Sequence, residues 1–263
     1  MRYFSEKNRA ILSEMVRTDF KVRYQGSALG YVWSLLKPLF IFSILYVVFT
    51  YIIPLGKSVE HYPVYLLLGI VLWNFFVEST IIGSTSIVAR GDLIRKISIP
   101  RYLLVVSSSI SALINLGLSL IVVFIFALLN GVPISFSWLL IIPIILELLI
   151  LSLGVSFLLG ALYVRFRDVS YIWEIFLQAG FYATPIIYPI MMVPQHYHKY
   201  FFINPMAQIV QDARYAVVTP TSTTLWSTLH SYKLAAPFVI VFLIAVFGGI
   251  YFKHRSKYFA EDI

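Results

Sequence analysis

The chain has 263 residues, of which 60% are hydrophobic and only 12% charged, with a mean hydropathy of +0.86; soluble domains carry about 25% charged residues, so lipid is the expected solvent and an ordinary water-soluble fold is excluded. The formal charge of +8 fits cations gathered at a membrane surface rather than a nucleic-acid partner. With no cysteine there is no disulfide, no thiolate metal site and no cysteine nucleophile.

Met1 to Arg23 carries charges throughout and lacks the compact apolar core of a secretory signal, so the spans themselves are expected to direct insertion. Ile11, Leu12, Met15, Val16 and Phe20 recur there at helical spacing, while Arg9, Arg17 and Lys21 stay off the stripe. This predicts an amphipathic helix at the cytoplasmic interface, either a membrane anchor or a docking element for a cytoplasmic partner.

Six apolar stretches follow, each long enough to cross a hydrocarbon core that takes about 20 helical residues: Leu35 to Ile53, Val64 to Ile82, Leu103 to Leu129, Trp138 to Val164, Val169 to Ile187 and Leu234 to Phe252. The fifth is interrupted by Glu174 and Gln178 and ended by Pro185 and Pro189, so it needs protein or water on one face. Of the 20 Lys and Arg residues, sixteen fall before the first span or, as Lys37, at its mouth, between spans two and three, between four and five, or in the tail. Lys57, Lys199, Arg214 and Lys233 fall on the other side. Positive loops resist translocation, so both termini are expected in the cytoplasm, which an even number of spans allows.

Between spans two and three lies Arg90-Gly-Asp-Leu-Ile-Arg-Lys-Ile-Ser-Ile-Pro-Arg101. It mixes cations with Leu93, Ile94, Ile97 and Ile99, which suits either a short amphipathic helix presented to a partner, with Pro100 and Arg101 opening the next span, or a plain positive loop. Ser152, Ser156 and Gly160 repeat every four positions in span four, which favours close helix packing within or between protomers. Glu147 lies inside the same span, and a hydrogen bond to Asn115 or to a serine of span three is its expected partner.

Phe42, Tyr46 and Phe49 share a face of span one, and Trp173 and Phe176 one of span five. Such faces either pack against neighbouring helices or line a conduit on which sugar rings stack. After span five, Pro185, Pro189 and Pro194 precede Asn204-Pro205, and Met206, Ile209, Val210 and Ala213 follow at helical spacing. These pieces are too short to span and suit re-entrant or interfacial helices. Gly56-Lys57-Ser58 carries the ending of a phosphate-binding loop, but Tyr51 stands where its first glycine is required, so the chain does not hold ATP by that device. Of His61, His196, His198, His230 and His254 only His196 and His198 are neighbours, and no acidic group stands near them at ligand spacing. No metal, cofactor or catalytic residue is expected, and the chain reads as non-enzymatic.

Several of these segments are similar to those of a known family. Asp19-Phe20-Lys21-Val22-Arg23-Tyr24, Ser27-Ala28-Leu29-Gly30-Tyr31-Val32-Trp33 and Lys37-Pro38 lead into span one. Leu93-Ile94-Arg95-Lys96 and Ile99-Pro100-Arg101 precede span three, and Val164-Arg165-Phe166-Arg167-Asp168-Val169 precedes span five. Thr184-Pro185-Ile186-Ile187-Tyr188 and Asn204-Pro205 follow it. In this order, across essentially the whole chain, they resemble the permease subunit of ABC-2 type exporters for polysaccharides and polyol phosphates, which serve O-antigen, capsule and teichoic acid export.

The resemblance implies an all-α integral membrane fold in one domain, 1–263: a cytoplasmic amphipathic segment at 1–30, a six-helix region at 35–252 with short re-entrant helices between spans five and six, and a cytoplasmic tail at 253–263. It implies a multi-pass protein of the cytoplasmic (inner) membrane, paired with a second copy of itself around a conduit that Phe42, Tyr46, Phe49, Trp173 and Phe176 would line. A separate P-loop ATPase subunit would dock on Arg90, Asp92, Leu93, Ile94, Arg95, Lys96, Ile97, Pro100 and Arg101, beside the interfacial helix of Ile11, Leu12, Met15, Val16 and Phe20. The cargo would be a lipid-linked glycan or polyol-phosphate polymer. Two other readings stay open: an ATP-independent secondary transporter, which would want paired ionisable groups inside the membrane, and a membrane enzyme acting on lipid-linked sugars, with Asp168 and Asp212 as candidate acids.

Overall fold

The computed structural model describes residues 6–24, 32–52, 59–96, 99–228 and 234–259, and among them the secondary structure is entirely helical. Helix α1 spans Glu6–Tyr24. Helix α2, Val32–Val47, continues as a π-helical turn over Val48–Ile52. Pro38 lies inside α2, where it removes one helical N–H. Helices α3 (Tyr62–Ala89) and α4 (Gly91–Lys96) lead to α5 (Tyr102–Leu129). A 3₁₀ turn over Phe136–Leu140 opens α6, Ile141–Arg165. Then come α7 (Val169–Ala183), α8 (Gln195–Phe201), α9 (Pro205–Val217), α10 (Leu225–Thr228) and α11 (Ala236–Arg255).

Four of these elements are long and apolar enough to cross a membrane: α3, α5, α6 with its 3₁₀ lead-in, and α11. The chain is thus an all-helical integral membrane protein. Pro38–Ile52 forms a shorter apolar helix. Helix α7 stops at Ala183, short of the expected Ile187, for a local reason. Thr184 precedes Pro185, whose ring disfavours helical backbone in the residue before it, and Thr184 is extended at φ −91° and ψ 134°.

Helix α3 is the centre of the bundle. Its sequence is apolar all round, as expected for a helix with no solvent or lipid face of its own, and 72% of its apolar window is buried against 22% for α11. It packs on α2, α5, α6, α7 and α9. The small residues of α6 make the α3 contact close. A Cβ on Gly83 would meet the Cβ of Ser156 at 2.7 Å, and Gly160 stands over Gly83 and Ile87. The Ser152–Ser156–Gly160 stripe therefore packs within one chain, with the Ser156 hydroxyl donating to the Ser79 carbonyl at 3.1 Å.

The other face of α6 meets α11 backbone to backbone. A Cβ on Gly248 would lie 2.2 Å from the Gly154 carbonyl oxygen, and one on Gly154 would lie 2.7 Å from the Ala245 Cα. Several polar groups in the bundle are paired between neighbouring helices. Asn115 donates to Glu78 at 2.8 Å, the Ser79 hydroxyl to Ser109 at 3.0 Å, and the Trp173 indole to Thr80 at 3.0 Å.

The Glu147 expectation is corrected here. Asn115 is taken by Glu78, and Glu147 instead accepts from the Gln208 amide of α9 at 3.3 Å. Helix α6 turns this face toward α9 and α11, whereas Asn115 on α5 faces α3.

Candidate coupling and translocation surfaces

At the basic end of the bundle, the apolar stripe of α1 is covered by protein. Met15 is buried with Leu103 and Leu104 of α5, and Ile11, Leu12, Leu93, Ile94, Ile99 and Tyr102 pack around them. Val16 is half-buried, while Arg9, Arg17 and Lys21 are exposed. The amphipathic helix exists as predicted, but its apolar side rests on α4 and α5. Lipid is not what covers Met15. The Phe20 side chain lies outside what is described.

Arg90, at the C-terminal cap of α3, turns inward. Its guanidinium pairs with Asp19 of α1 and donates to the Ser107 hydroxyl of α5 at 3.1 Å. Burial pulls its pKa below the ordinary arginine value, and the Asp19 carboxylate is what makes the buried charge tenable. One residue thus ties three helices together. The following α4 is the short helix expected in this segment: Leu93 and Ile94 face the α1–α5 cluster, and Asp92 is exposed.

The side chains of Arg95 and Lys96 and the whole of Ile97 lie outside the described residues. Pro100 and Arg101 open α5, with the Pro100 carbonyl accepting from Leu103 at 3.0 Å. Arg101 reaches the Ser256 carbonyl past the end of α11. A groove of about 730 Å³ runs between Ile94, Ile99 and Pro100 on one side and Phe252, Lys253 and Ser256 on the other.

The aromatic residues fall into two groups that pack on different helices. Phe42 is buried, stacked on Tyr46 with centroids 5.7 Å apart and edge-on to Phe126 of α5 at 5.6 Å. Phe49 is half-buried against the main core. Trp173 is turned to Phe76 and Thr80 of α3, whereas Phe176 beside it is 64% exposed. Helix α7 buries Leu177 alone among its fifteen residues. The rest of its surface is an uncovered band of Tyr171, Ile172, Ile175, Phe176 and Tyr182 mixed with Glu174 and Gln178.

At the opposite end, segments far apart in sequence close around one arginine. Asn204 caps α9 by accepting from the Met206 amide at 3.0 Å, Pro205 sits at the first helical position where its missing N–H costs nothing, and Asn204 also donates to Thr184 at 3.3 Å. The cap orients α9 so that Met206, Ile209, Val210 and Ala213 are buried, as their spacing predicts. On the same side Arg214 is completely buried, the largest such side chain among the described residues.

Arg214 donates to the carbonyls of Tyr65 at 3.1 Å, Pro185 at 2.5 Å and Ile186 at 2.6 Å, and lies 3.4 Å over the Tyr65 ring. Desolvation pulls its pKa down to about 10, which leaves it charged at neutrality. Gly69 provides the space, since a Cβ there would stand 2.8 Å from the Arg214 Nη2. The residue that charge counting placed among outward-facing cations is instead the clamp that holds the Thr184–Ile187 turn to α3 and α9.

A helical bundle with inward-turned arginines at both ends, a short helix after α3 and apolar spans is the setting for the comparison with known proteins. The family model described as "ABC-2 type transporter" matches residues 12–218. The chain belongs to that family. The O-antigen export system permease protein RfbA of Klebsiella pneumoniae is 29% identical over 205 residues, covering 78% of each chain. A protein of the same description from Myxococcus xanthus is 27% identical over 260 residues, or 97% of this chain and 96% of its own. The polysialic acid transport protein KpsM of Escherichia coli is 23% identical over 223 residues, with 81% and 83% covered. By their names these relatives serve O-antigen export and polysialic acid transport, and the likeness to the Myxococcus protein runs nearly end to end.

Proposed function

We propose that this chain is the permease subunit of an ATP-driven exporter of a lipid-linked polysaccharide or polyol-phosphate polymer. The observation that carries the reading is the uncovered band on α7: a helix in a membrane bundle that leaves Phe176, Tyr171 and Tyr182 open beside Glu174 and Gln178 suits neither lipid nor a packed core. Aromatic faces interleaved with polar groups hold sugar rings by many weak contacts and let a polymer slide. The relatives' export of O-antigen and polysialic acid supports the substrate class.

In this reading α2 with its π turn and α7 complete six crossing elements, α8 and α9 are re-entrant, and the basic end is cytoplasmic, which the concentration of Lys and Arg there supports. A second copy faces α7 across the conduit. Phe176 lines it from α7, with Trp173 beside it anchored on α3, while Phe42, Tyr46 and Phe49 hold α2 against α5 and the core. A separate P-loop ATPase docks on the α4 segment. Asp92, Arg95, Lys96 and Ile97 meet it, while Arg90 and Arg101 fix the segment to α1, α5 and the tail, so that displacement of α4 reaches the bundle.

The experiment is purification of the tagged chain from its own cells in mild detergent, with mass spectrometry of what accompanies it. A P-loop ATPase in near-equal amount is the expected result; a stable oligomer of the chain alone would overturn the reading. Reversing charge at Arg95 and Lys96 tests the docking segment separately, because it should leave ATP turnover running without export.

A further inference from the structure

Between α6, α9 and α11 lies a cavity of about 510 Å³ that no part of the exporter reading uses. We propose that it is a lipid site that takes the primary ammonium group of an aminophospholipid. The inference rests on the membrane setting alone, so its failure would leave the exporter reading standing.

At the floor of the cavity, Gln208 stands between two carboxylates. Its Nε2 donates to Asp212 at 2.8 Å and to Glu147 at 3.3 Å, which uses both amide hydrogens. The Leu225 amide also serves Asp212. Three oxygens remain: Glu147 Oε1, Gln208 Oε1 and Asp212 Oδ1 are buried and without a hydrogen-bond partner among the described residues. Gln208 itself is only 1% exposed, so its idle oxygen cannot turn to water. Burial holds Asp212 above the usual carboxylate range, against the pull of its hydrogen bonds from Gln208 and the Leu225 amide.

Three unpartnered oxygens, two of them carboxylate oxygens, call for a ligand with several N–H donors, positive charge and no acceptor, which describes –NH₃⁺. A bare metal ion would fill only a small part of the space. The walls choose between them: Leu146, Ile150 and Phe242 line the cavity and are also exposed on the apolar surface of the bundle, so an acyl chain can lie along them in continuity with the bilayer. Tyr215 and Trp226 stand in the same lining and offer a hydroxyl and an indole N–H to the phosphate. The site reads an amine at one end and hydrocarbon at the other.

The test is native mass spectrometry of the purified chain, with any subunit that accompanies it, equilibrated with equal amounts of dioleoyl phosphatidylethanolamine, its choline counterpart and phosphatidylglycerol. Choline keeps the charge but has no N–H. A charge-assisted hydrogen bond is worth about tenfold or more in binding, so ethanolamine lipid should exceed the choline lipid by at least about tenfold and phosphatidylglycerol by more. The double variant Glu147→Gln/Asp212→Asn should abolish the preference. Ile150→Trp, which fills the cavity from a position already facing lipid and leaves the carboxylates alone, should lower retention of the ethanolamine lipid as far. Equal binding of the ethanolamine and choline lipids to the wild type overturns the proposal. So does an unchanged preference in the double variant or, should that variant not fold, unchanged retention of the ethanolamine lipid in Ile150→Trp.

Discussion

Replacing Arg214 by methionine keeps most of the side-chain length and removes every donor. Three buried carbonyls, those of Tyr65, Pro185 and Ile186, then lose the guanidinium that now binds them at 3.1, 2.5 and 2.6 Å. Each unsatisfied buried acceptor costs about 1–3 kcal/mol, offset in part because a buried arginine is itself expensive to desolvate. The net loss should be about 3–5 kcal/mol, typical of breaking a buried ionic arrangement from one side. At ~2–4 °C per kcal/mol for a chain of this size, the apparent unfolding midpoint should fall by roughly 10 °C, read by size-exclusion of heated detergent extracts.

Arg214→Lys keeps the charge but presents one ammonium where three oxygens are spread around a fork, so it should fall between wild type and the methionine variant. Gly69→Ala places a methyl 2.8 Å from the Arg214 Nη2 and should displace the same clamp. The Gly69→Ala/Arg214→Met double variant should then cost much less than the sum of the two single changes. Additive losses, or an Arg214→Met midpoint within about 2 °C of wild type, would refute the clamp.

The clasp at the basic end should appear as coupling between Asp19→Ala and Arg90→Ala of about 1–3 kcal/mol in a double-mutant cycle; protease sensitivity within α1 should rise equally in both single variants. Gly248→Ala should destabilise the bundle by at least about 1–3 kcal/mol, because its Cβ would meet the Gly154 carbonyl at 2.2 Å. Gly249→Ala, whose Cβ would meet nothing within 4 Å, should be neutral or mildly stabilising by the same midpoint measurement. Asn115→Ala should cost about 1–3 kcal/mol by leaving Glu78 short of its donor, and adding Glu78→Leu should recover much of that loss.

What could be read from the sequence depended on the range of the interaction. The stripe of Met15, the Asn204-Pro205 cap and the apolar register of α9 involve residues within a turn or two of one another, and each forms where spacing placed it. The serine and glycine stripe of α6 signalled close packing, though not which helix would receive it. Arg214 gave no local sign of burial: Asp212 and Tyr215 flank it on a polar-looking stretch, and its acceptors lie about 30 and 150 positions away. Glu147 was assigned the wrong partner for the same reason, since which helix faces its side of α6 is decided by the α6–α11 crossing. Arg90 reads as a loop cation until α1 is folded back to bring Asp19 against it. The two aromatic groups were visible as stripes, but their separation onto α5 and α3 was not.

The meeting of Gly154 and Gly248 limits how the molecule can deform. Where two helices touch through backbone, no side chain at the contact can change rotamer to accommodate sliding, and translation along the axis would carry the larger residues one turn away, Leu151 on α6 or Ile244 on α11, toward a gap sized for hydrogen. Translation of α11 along α6 is blocked in both directions. Rotation about the contact point is the remaining freedom, so the pair behaves as a pair of scissors: widening between its two upper arms is matched by narrowing between the lower ones.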